Sequence, residues 1–233
     1  MKRHIREALT GARRSGRAVA LATNLRSGEQ RLVYEGDSEG DLCLDIDMVS
    51  AAGDALRRDE STTFDTPAGR VFVQVFNPLP RLVVVGAVHI AQPLARMAAL
   101  SGYGVTVVDP RRAFAESEKF AGFAVSDEWP DEALVRLKPD RRTAVVTLTH
   151  DPKLDDPALS TALRSPAFYI GALGSKKTHA ARLARLREMG FSDDEMARIH
   201  GPVGLAIGAL SPAEIALSIM AEVTRVRRQG GAT

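Results

Sequence analysis

Two glycine-bearing turns have residue types that suit an anionic ligand. The first lies in LVVVGAVHIA at 82–91 and the second in YIGALGSKKTH at 169–179, and each follows an apolar stretch typical of a buried strand. In the second turn, Lys176 and Lys177 begin a helical stretch, so backbone N–H groups, the positive end of a helix dipole and two ammonium groups converge there. This pattern predicts an anion site. A tight turn at Gly174 followed by two solvated lysines is the alternative interpretation.

The first turn matches the dinucleotide fingerprint Gly-x-Gly-x-x-Gly/Ala only in part. Gly86 and Ala91 fill the first and third positions, but Val88 stands where the middle glycine lets the backbone approach a pyrophosphate. Asp109 ends the next apolar stretch, 23 positions after Gly86, where an acidic residue would hold ribose hydroxyls. The sequence therefore predicts a dinucleotide-like fold with an obstructed pyrophosphate seat. A related fold that binds no nucleotide is the alternative.

Four of the five histidines follow a predicted strand end or lie in a glycine- or proline-containing loop: His89, His150, His179 and His200. Ligands of open α/β sheets bind beyond the carboxyl ends of the strands, so separate loops can deliver these side chains to one cleft. Solvated surface histidines are the first alternative. The second is a metal site that includes Asp151 beside His150, although the sequence contains no HxH or HxxxH pair.

The stretch IHGPVGLAIG at 199–208 interrupts an apolar run with three glycines and a proline. Such a composition makes a poor helix or strand interior. We predict a loop that either brings backbone close to a bound ligand or connects two elements inside the core.

Two sets of elements must position these residues, and they meet at Phe76-Asn77-Pro78-Leu79-Pro80, where the prolines break any regular element. Before this segment, the apolar pattern predicts a small α+β domain at 1–77. Its expected helices lie at 2–14 and 47–58, and its expected strands at 17–25, 31–35, 41–46, 61–65 and 70–76.

After the boundary, apolar strands alternate with helical stretches, which indicates a parallel sheet covered on both faces. The expected strands lie at 81–86, 104–109, 143–148 and 167–172, and the expected helices at 90–101, 130–137, 154–164 and 176–190. Ser211-Pro212-Ala213-Glu214 predicts a final helix at 212–227. The predicted fold class is α/β, with a doubly wound, Rossmann-like cofactor-binding domain at 81–228.

Composition narrows the function classes. The net charge of +2 disfavours nucleic acid as the main partner, because phosphate-backbone binding wants a clear excess of lysine and arginine. With Cys43 as the single cysteine, neither a disulfide framework nor a cysteine-based zinc site can form within one chain. The apolar runs are too short to cross a bilayer and no secretory signal is visible, so we expect a cytoplasmic protein that does not enter the membrane.

Six segments together resemble the xanthine dehydrogenase accessory proteins, the XdhC family, over roughly residues 80–223. They are GAVHIAQPLARMA, VTVVDPR, VVTLTHDPKLDDPAL, FYIGALGSKKTHAARLARL, ARIHGPVGLAIGA and SPAEIALSIMAE. The resemblance implies a Rossmann-like domain and a protein that binds the molybdenum cofactor (molybdopterin), guards it during sulfuration and hands it to an apo molybdenum hydroxylase. It implies a carrier rather than a catalyst, with a cysteine desulfurase as a further partner. A homodimer is the expected assembly, since homo-oligomers are common and cofactor handling often occurs at interfaces.

The sequence departs from the family at two places. Many relatives have Gly-Ala-Gly-His in the first turn, where this chain has Val88 between Ala87 and His89. Many also carry a Gly-Gly-Cys-Val-Glu-like element, which Cys43 within GDLCLD matches only loosely. Cys43 is therefore either a contact for sulfur or cofactor or a small buried residue of a strand.

We predict no catalytic residue and no metal ligand, and a cofactor site formed by the residues of the turns and loops described above. They are Gly86, Ala87, Val88, His89, Asp109, Arg111, His150, Asp151, Gly171, Gly174, Ser175, Lys176, Lys177, Thr178, His179, His200, Gly201 and Gly204. The cofactor is the molybdenum cofactor or its cytosine dinucleotide form. An NAD(P)-dependent oxidoreductase and a metal-dependent hydrolase are the competing hypotheses.

Overall fold

The structure is a computed structural model that describes residues 1–111 and 118–229. The chain divides between Pro78 and Leu79 into two compact units. This division falls inside the proline-containing segment, where two residues without a backbone N–H donor interrupt regular structure.

The first unit is a five-stranded antiparallel sheet with one helix on each face. The strand order is β3-β2-β1-β5-β4. The elements in chain order are α1 (Arg3–Arg14), β1 (Val19–Asn24), β2 (Gln30–Tyr34), β3 (Asp37–Gly40), α2 (Ile46–Arg58), β4 (Thr62–Thr66) and β5 (Gly69–Phe76).

The apolar side chains of β1 point alternately to the two faces of the sheet, which explains why a helix covers each face. Val19 and Leu21 belong to the apolar cluster that includes Ile5 of α1, whereas Ala20 and Ala22 belong to the cluster built with α2. Successive strand residues point to opposite faces, so an unbroken apolar strand requires cover on both.

The predicted strand at 41–46 is wrong. The third strand lies earlier, at Asp37–Gly40, because Gly36 with φ of 81° turns the chain back directly after β2. Asp45 is the N-cap of α2 instead, and its side chain accepts a hydrogen bond from Met48 N at 2.8 Å. The strands predicted at 61–65 and 70–76 are present as β4 and β5, which pair as an antiparallel hairpin.

The second unit is a six-stranded parallel sheet in the order β11-β10-β9-β6-β7-β8. Its strands are β6 (Arg81–Val85), β7 (Gly104–Val108), β8 (Ala124–Ser126), β9 (Thr143–Thr147), β10 (Tyr169–Ala172) and β11 (Ile199–His200). Its α-helices are α3 (Ala91–Leu100), α4 (Pro130–Leu137), α5 (Pro152–Leu163), α6 (Lys176–Glu188), α7 (Asp193–Met196) and α8 (Pro212–Gln229).

Apolar strands hold this sheet between two helical layers. Leu82 and Val84 pack with the buried side chains of α3 and α8, whereas Val83 and Val85 pack with those of α4, α5 and α6. The doubly wound, Rossmann-like fold predicted from the sequence is confirmed. Within the described ranges, no helix is long and apolar enough to cross a membrane.

Two short strands, β8 and β11, were not predicted from the sequence. β8 has three residues and β11 two, too few to show a period-2 pattern. β11 matters for the site because it pairs with β10, with His200 opposite Gly171. The predicted helix at 154–164 in fact begins at Pro152, capped by the Asp151 side chain.

Candidate functional site

All strands of the second unit run parallel, so the loops after them emerge at one edge of the sheet. The first strand of this unit, β6, lies between β7 and β9, which makes the turns after these strands the point where the strand order reverses. The four histidines singled out from the sequence stand at or directly after the carboxyl ends of strands: His89 after β6, His150 after β9, His179 in the first turn of α6 and His200 at the end of β11.

Asp109 fastens the first glycine turn to the end of β7. Its fully buried carboxylate accepts from the backbone N–H of Ala87 at 2.8 Å. It also accepts three hydrogen bonds from Arg111: from the backbone N–H at 3.0 Å, from Nε at 2.9 Å and from Nη2 at 2.7 Å. Burial alone would raise the pKa of Asp109, but these bonds lower it further than burial raises it, so the carboxylate is charged.

Val88 is half-buried and packs against the apolar cluster under α3 and α8. Gly86 makes the turn with φ of 104°, and a Cβ atom there would lie 2.5 Å from Cγ2 of Thr149. The turn is therefore held against the end of β9 by direct packing, which a glycine alone allows.

The second glycine turn exposes backbone donors. Leu173 N–H donates to Thr147 O at 2.9 Å, and Ser175 Oγ accepts from Thr178 N at 3.1 Å as the N-cap of α6. Among the described residues, nothing accepts from the backbone N–H groups that lie between these two bonds, at 174–177. Both lysines of this turn are exposed. Consecutive free N–H groups at a helix N-terminus are an anion-binding arrangement.

A buried ion pair lies beneath this turn, and the sequence reasoning missed it. Arg182 Nη2 lies 3.5 Å from Asp155 Oδ2, with 2% of each side chain exposed, and donates to Leu173 O at 2.8 Å. Thr149 Oγ1 donates to Asp155 Oδ1 at 2.7 Å. A signal existed, because Arg182 and Leu186 are four residues apart on the inward stripe of α6, where a charged residue is unusual.

Glu222 of α8 anchors the loop after β11. Its Oε2 accepts from Tyr169 Oη at 2.6 Å and from Gly204 N at 2.9 Å, and its Oε1 lies 3.4 Å from His200 Nδ1. The rings of Tyr169 and His200 are stacked with centroids 4.6 Å apart. Burial, followed by the hydrogen bond to Glu222, raises the pKa of Tyr169, so the phenol keeps its proton and donates it.

Three predicted site glycines serve contacts within the chain. A Cβ atom on Gly171 would lie 2.6 Å from Val203 Cγ2, one on Gly201 would collide with the His179 ring, and one on Gly204 would collide with Ser218. Burial, with the charge of Arg182, lowers the pKa of His179, so this ring packs in its neutral form. Gly201 and Gly204 therefore let side chains of this protein approach the backbone, and no approach of a ligand is needed to explain these two glycines.

The remaining predicted site residues include His150, Asp151 and Cys43. His150 is exposed and has φ of 62°, a conformation that few residues other than glycine adopt and that histidine tolerates better than most. Asp151 Oδ1 accepts from Lys153 N at 3.0 Å as the cap of α5. Cys43 is exposed and lies between β3 and α2, so the alternative that it is a small buried residue of a strand is wrong.

The described residues offer no set of side chains that would serve as the metal site of a hydrolase. Within residues 1–111 and 118–229, no three histidine, cysteine, aspartate or glutamate side chains come together closely enough to hold a metal ion.

Comparison with known families identifies the fold of the second unit. A family model described as the XdhC Rossmann domain matches residues 82–223, which is more than half of the chain. The chain belongs to the XdhC family. The resemblance seen in the sequence motifs is thereby confirmed.

Two curated relatives of this XdhC chain have names that state a function. The molybdenum cofactor insertion chaperone PaoD of Escherichia coli is 37% identical over 152 residues, which are 65% of this chain and 42% of PaoD. A protein of Bacillus subtilis named as a probable subunit of xanthine dehydrogenase is 30% identical over 233 residues, which are 98% of this chain and 66% of that protein. The XdhC chain thus spans less than the full length of both relatives.

A solved structure shares the fold of the XdhC chain. The crystal structure of a protein described as a xanthine dehydrogenase from Bacillus halodurans superposes with a TM-score of 0.74 at 24% identity, covering 97% of this chain and 67% of the other. The architecture of both units therefore occurs in an experimentally determined protein.

Proposed function

We propose that this XdhC chain binds the molybdenum cofactor, guards it during sulfuration and assists its insertion into an apo molybdenum hydroxylase of the xanthine dehydrogenase type. Family membership supports this maturation function, and so do the names of the two curated relatives, one an insertion chaperone and the other a component of xanthine dehydrogenase. The protein acts as a carrier, since it delivers the group that the client enzyme then uses.

The observation that carries the proposal is the row of free backbone N–H groups at 174–177 with Lys176 and Lys177 beside it. The molybdenum cofactor is a pterin dithiolene that bears a phosphate, and this row fits a phosphate through charge-assisted hydrogen bonds. His89, His150 and His200 stand at the same edge of the sheet and would donate to pterin or oxo groups. When loaded into the client, the cofactor supplies the molybdenum centre for hydroxylation.

The hydrogen bonds that Asp109 already accepts indicate whether the cofactor carries a cytosine nucleotide. A carboxylate has about four positions that accept hydrogen bonds, and the four bonds to Asp109 use all of them. Ribose hydroxyls would therefore have to displace Arg111. We therefore favour the cofactor without the cytosine nucleotide. The same argument, together with Val88, disfavours an NAD(P)-dependent oxidoreductase.

The expected partners follow from the carrier function. They are the apo molybdenum hydroxylase that receives the cofactor and a cysteine desulfurase that supplies sulfur, both in the cytoplasm, with the carrier acting as a homodimer. Exposed Cys43 is the proposed contact for sulfur or for the cofactor.

The test is a paired titration of the purified protein with molybdenum cofactor and with NADPH. We expect binding of the cofactor and none of the nicotinamide. Lys176→Ala combined with Lys177→Ala should weaken cofactor binding by about tenfold or more, because two charge-assisted contacts to phosphate are lost.

The matched control is Arg141→Ala combined with Arg142→Ala. It removes the same charge just before β9, at the opposite edge of the sheet, and should leave the affinity unchanged. Equal affinity of the lysine variant and the wild-type protein would remove the 174–177 row from the site. Binding of NADPH alone would contradict the carrier function, and Val88→Gly would then show whether that side chain limits nicotinamide affinity.

A further inference from the structure

The peptide bond between Leu173 and Gly174 is held from the inside of the second unit. Its carbonyl accepts from the buried Arg182 at 2.8 Å. In a trans peptide the C=O and the following N–H point in opposite directions. Because the carbonyl faces inward to Arg182, the N–H of Gly174 faces the other way, and no described group accepts from it.

Gly174 makes this orientation depend on an external contact. Its φ is 143°, a conformation that residues with side chains rarely adopt, and a glycine sets little barrier against rotation of the adjoining peptide plane. In the rotated form the Leu173 carbonyl would face outward beside Lys176 and Lys177. An outward carbonyl would repel the anion that the free N–H groups at 174–177 attract.

Among the described residues, Arg182 donates one hydrogen bond, and the Leu173 carbonyl accepts it. Arg182 is 1% exposed, and its Nε and Nη1 have no hydrogen-bond partner among the described residues. Asp155 supplies the opposite charge from α5 and is itself held by Thr149. A buried pair with unsatisfied donors is a costly way to stabilise a fold, since apolar residues of similar volume usually do as well. The position of Arg182 beneath the Leu173 carbonyl indicates that the pair orients this peptide bond.

We propose that Arg182, with Asp155 as its counter-charge, is a positioning residue for the anion seat, by which we mean the free backbone N–H groups at 174–177 with Lys176 and Lys177. It fixes the orientation of the Leu173–Gly174 peptide in which the Gly174 N–H faces outward and joins the free N–H groups at 175–177 around a phosphate. The inference rests on the proposed function, because it needs a phosphate group at this seat. Lys176 and Lys177 then add positive charge beside the Gly174 N–H that Arg182 has oriented.

Calorimetric titration with inorganic pyrophosphate tests the proposal on the full chain. We expect Arg182→Met to weaken pyrophosphate binding by about tenfold or more, because the Leu173 carbonyl is no longer held inward. Arg182→Lys keeps the charge and one donor for that carbonyl and should bind better than the methionine variant. Arg185→Met is the control on the same helix, since the hydrogen bonds of the Arg185 guanidinium within the described residues go to Asp156, at 2.5 and 3.0 Å, and this variant should bind like the wild type.

Two outcomes separate this inference from the proposed function. A wild-type protein that binds no pyrophosphate would overturn both the anion seat and the positioning by Arg182. Wild-type binding that Arg182→Met leaves intact would overturn the positioning alone and leave the seat in place.

A measurement on the wild-type protein covers the case in which Arg182→Met does not fold. Addition of pyrophosphate should shift the amide resonance of Gly174 in NMR spectra, while the Leu173 carbonyl resonance keeps the position of a hydrogen-bonded group. Binding without a change at the Gly174 amide would show that this N–H does not face the anion, which overturns the proposal.

Discussion

Two buried aspartates of the second unit respond to burial in opposite directions. The hydrogen bonds to Asp109 outweigh burial and lower its pKa. For Asp155, burial outweighs the bond from Thr149 and the charge of Arg182, and its pKa is raised. The difference arises because Arg111 makes three bonds to Asp109, whereas Arg182 makes one long contact to Asp155 and gives its hydrogen bond to a carbonyl.

The lowered pKa of Asp109 predicts a pH-dependent contribution to stability. An aspartate whose folded-state pKa is depressed stabilises the fold above its unfolded pKa of about 3.9, and this contribution is lost as the pH falls through the lower folded pKa. Asp109→Asn should therefore lower the free energy of unfolding at pH 7 by about 2 kcal/mol. The gap to the wild type should close below about pH 4.

Urea denaturation at several pH values between neutral and acidic measures this gap. The control is Asp65→Asn, since Asp65 is an exposed residue whose ion pair with Arg70 measures 3.3 Å and contributes little. A gap that stays constant with pH would mean that the charge of Asp109 does not stabilise the turn.

At the scale of elements, the turn between β6 and α3 is held by a glycine packed against the end of β9. Gly86 has φ of 104°, and an added Cβ would meet the Thr149 methyl at 2.5 Å. Thr149 also donates to Asp155, so one residue contacts the first glycine turn and the ion pair beneath the second.

Gly86→Ala should lower the free energy of unfolding by about 2 kcal/mol, through backbone strain and this contact together. Thr149→Ser removes the methyl group and keeps the hydroxyl, so the double variant should recover about 1 kcal/mol. Chemical denaturation of the four proteins in a double-mutant cycle measures the coupling.

Gly102→Ala is the matched control, because Gly102 has φ of 82° and nothing lies within 4 Å of an added Cβ. Its cost comes from the backbone alone and should not change with Thr149→Ser. If Gly86→Ala shows no coupling to Thr149→Ser either, the close approach does not limit the turn.

At the scale of the whole molecule, each unit has its own apolar core. The clusters of the first unit draw on residues between Ile5 and Val75, with Phe76 packed against one of them, and those of the second on residues between Leu82 and Val226. The second unit also contains the full row of free N–H groups at 174–177 and the buried pair beneath it.

We therefore predict that residues 79–229 alone fold cooperatively and bind pyrophosphate like the full chain. The reason is that burial of apolar surface within the unit supplies its stability without the first sheet. Circular dichroism during thermal unfolding and calorimetric titration measure the two properties. An isolated unit that melts without a cooperative transition would show that the predicted domain at 81–228 is not autonomous.

The sequence alone determined the parallel sheet and the edge of the sheet at which the proposed site lies. Apolar strands such as 81–86 and 143–148 and the helices between them follow from local periodicity, which a sequence displays directly. The cap at Ser211 is equally local, since it depends on Glu214 three positions away. Short β11 carries no such pattern, and the predicted strand at 41–46 was displaced by the tight turn at Gly36.

The tertiary structure alone decided which side chains meet. Arg182 pairs with Asp155 on the preceding helix, Glu222 binds Tyr169 and the loop at Gly204, and His179 packs on Gly201. These pairs are separated by more than a helical turn, so neither periodicity nor capping can indicate them. They follow from the order of the strands and from close packing, which bring together groups that the sequence keeps apart.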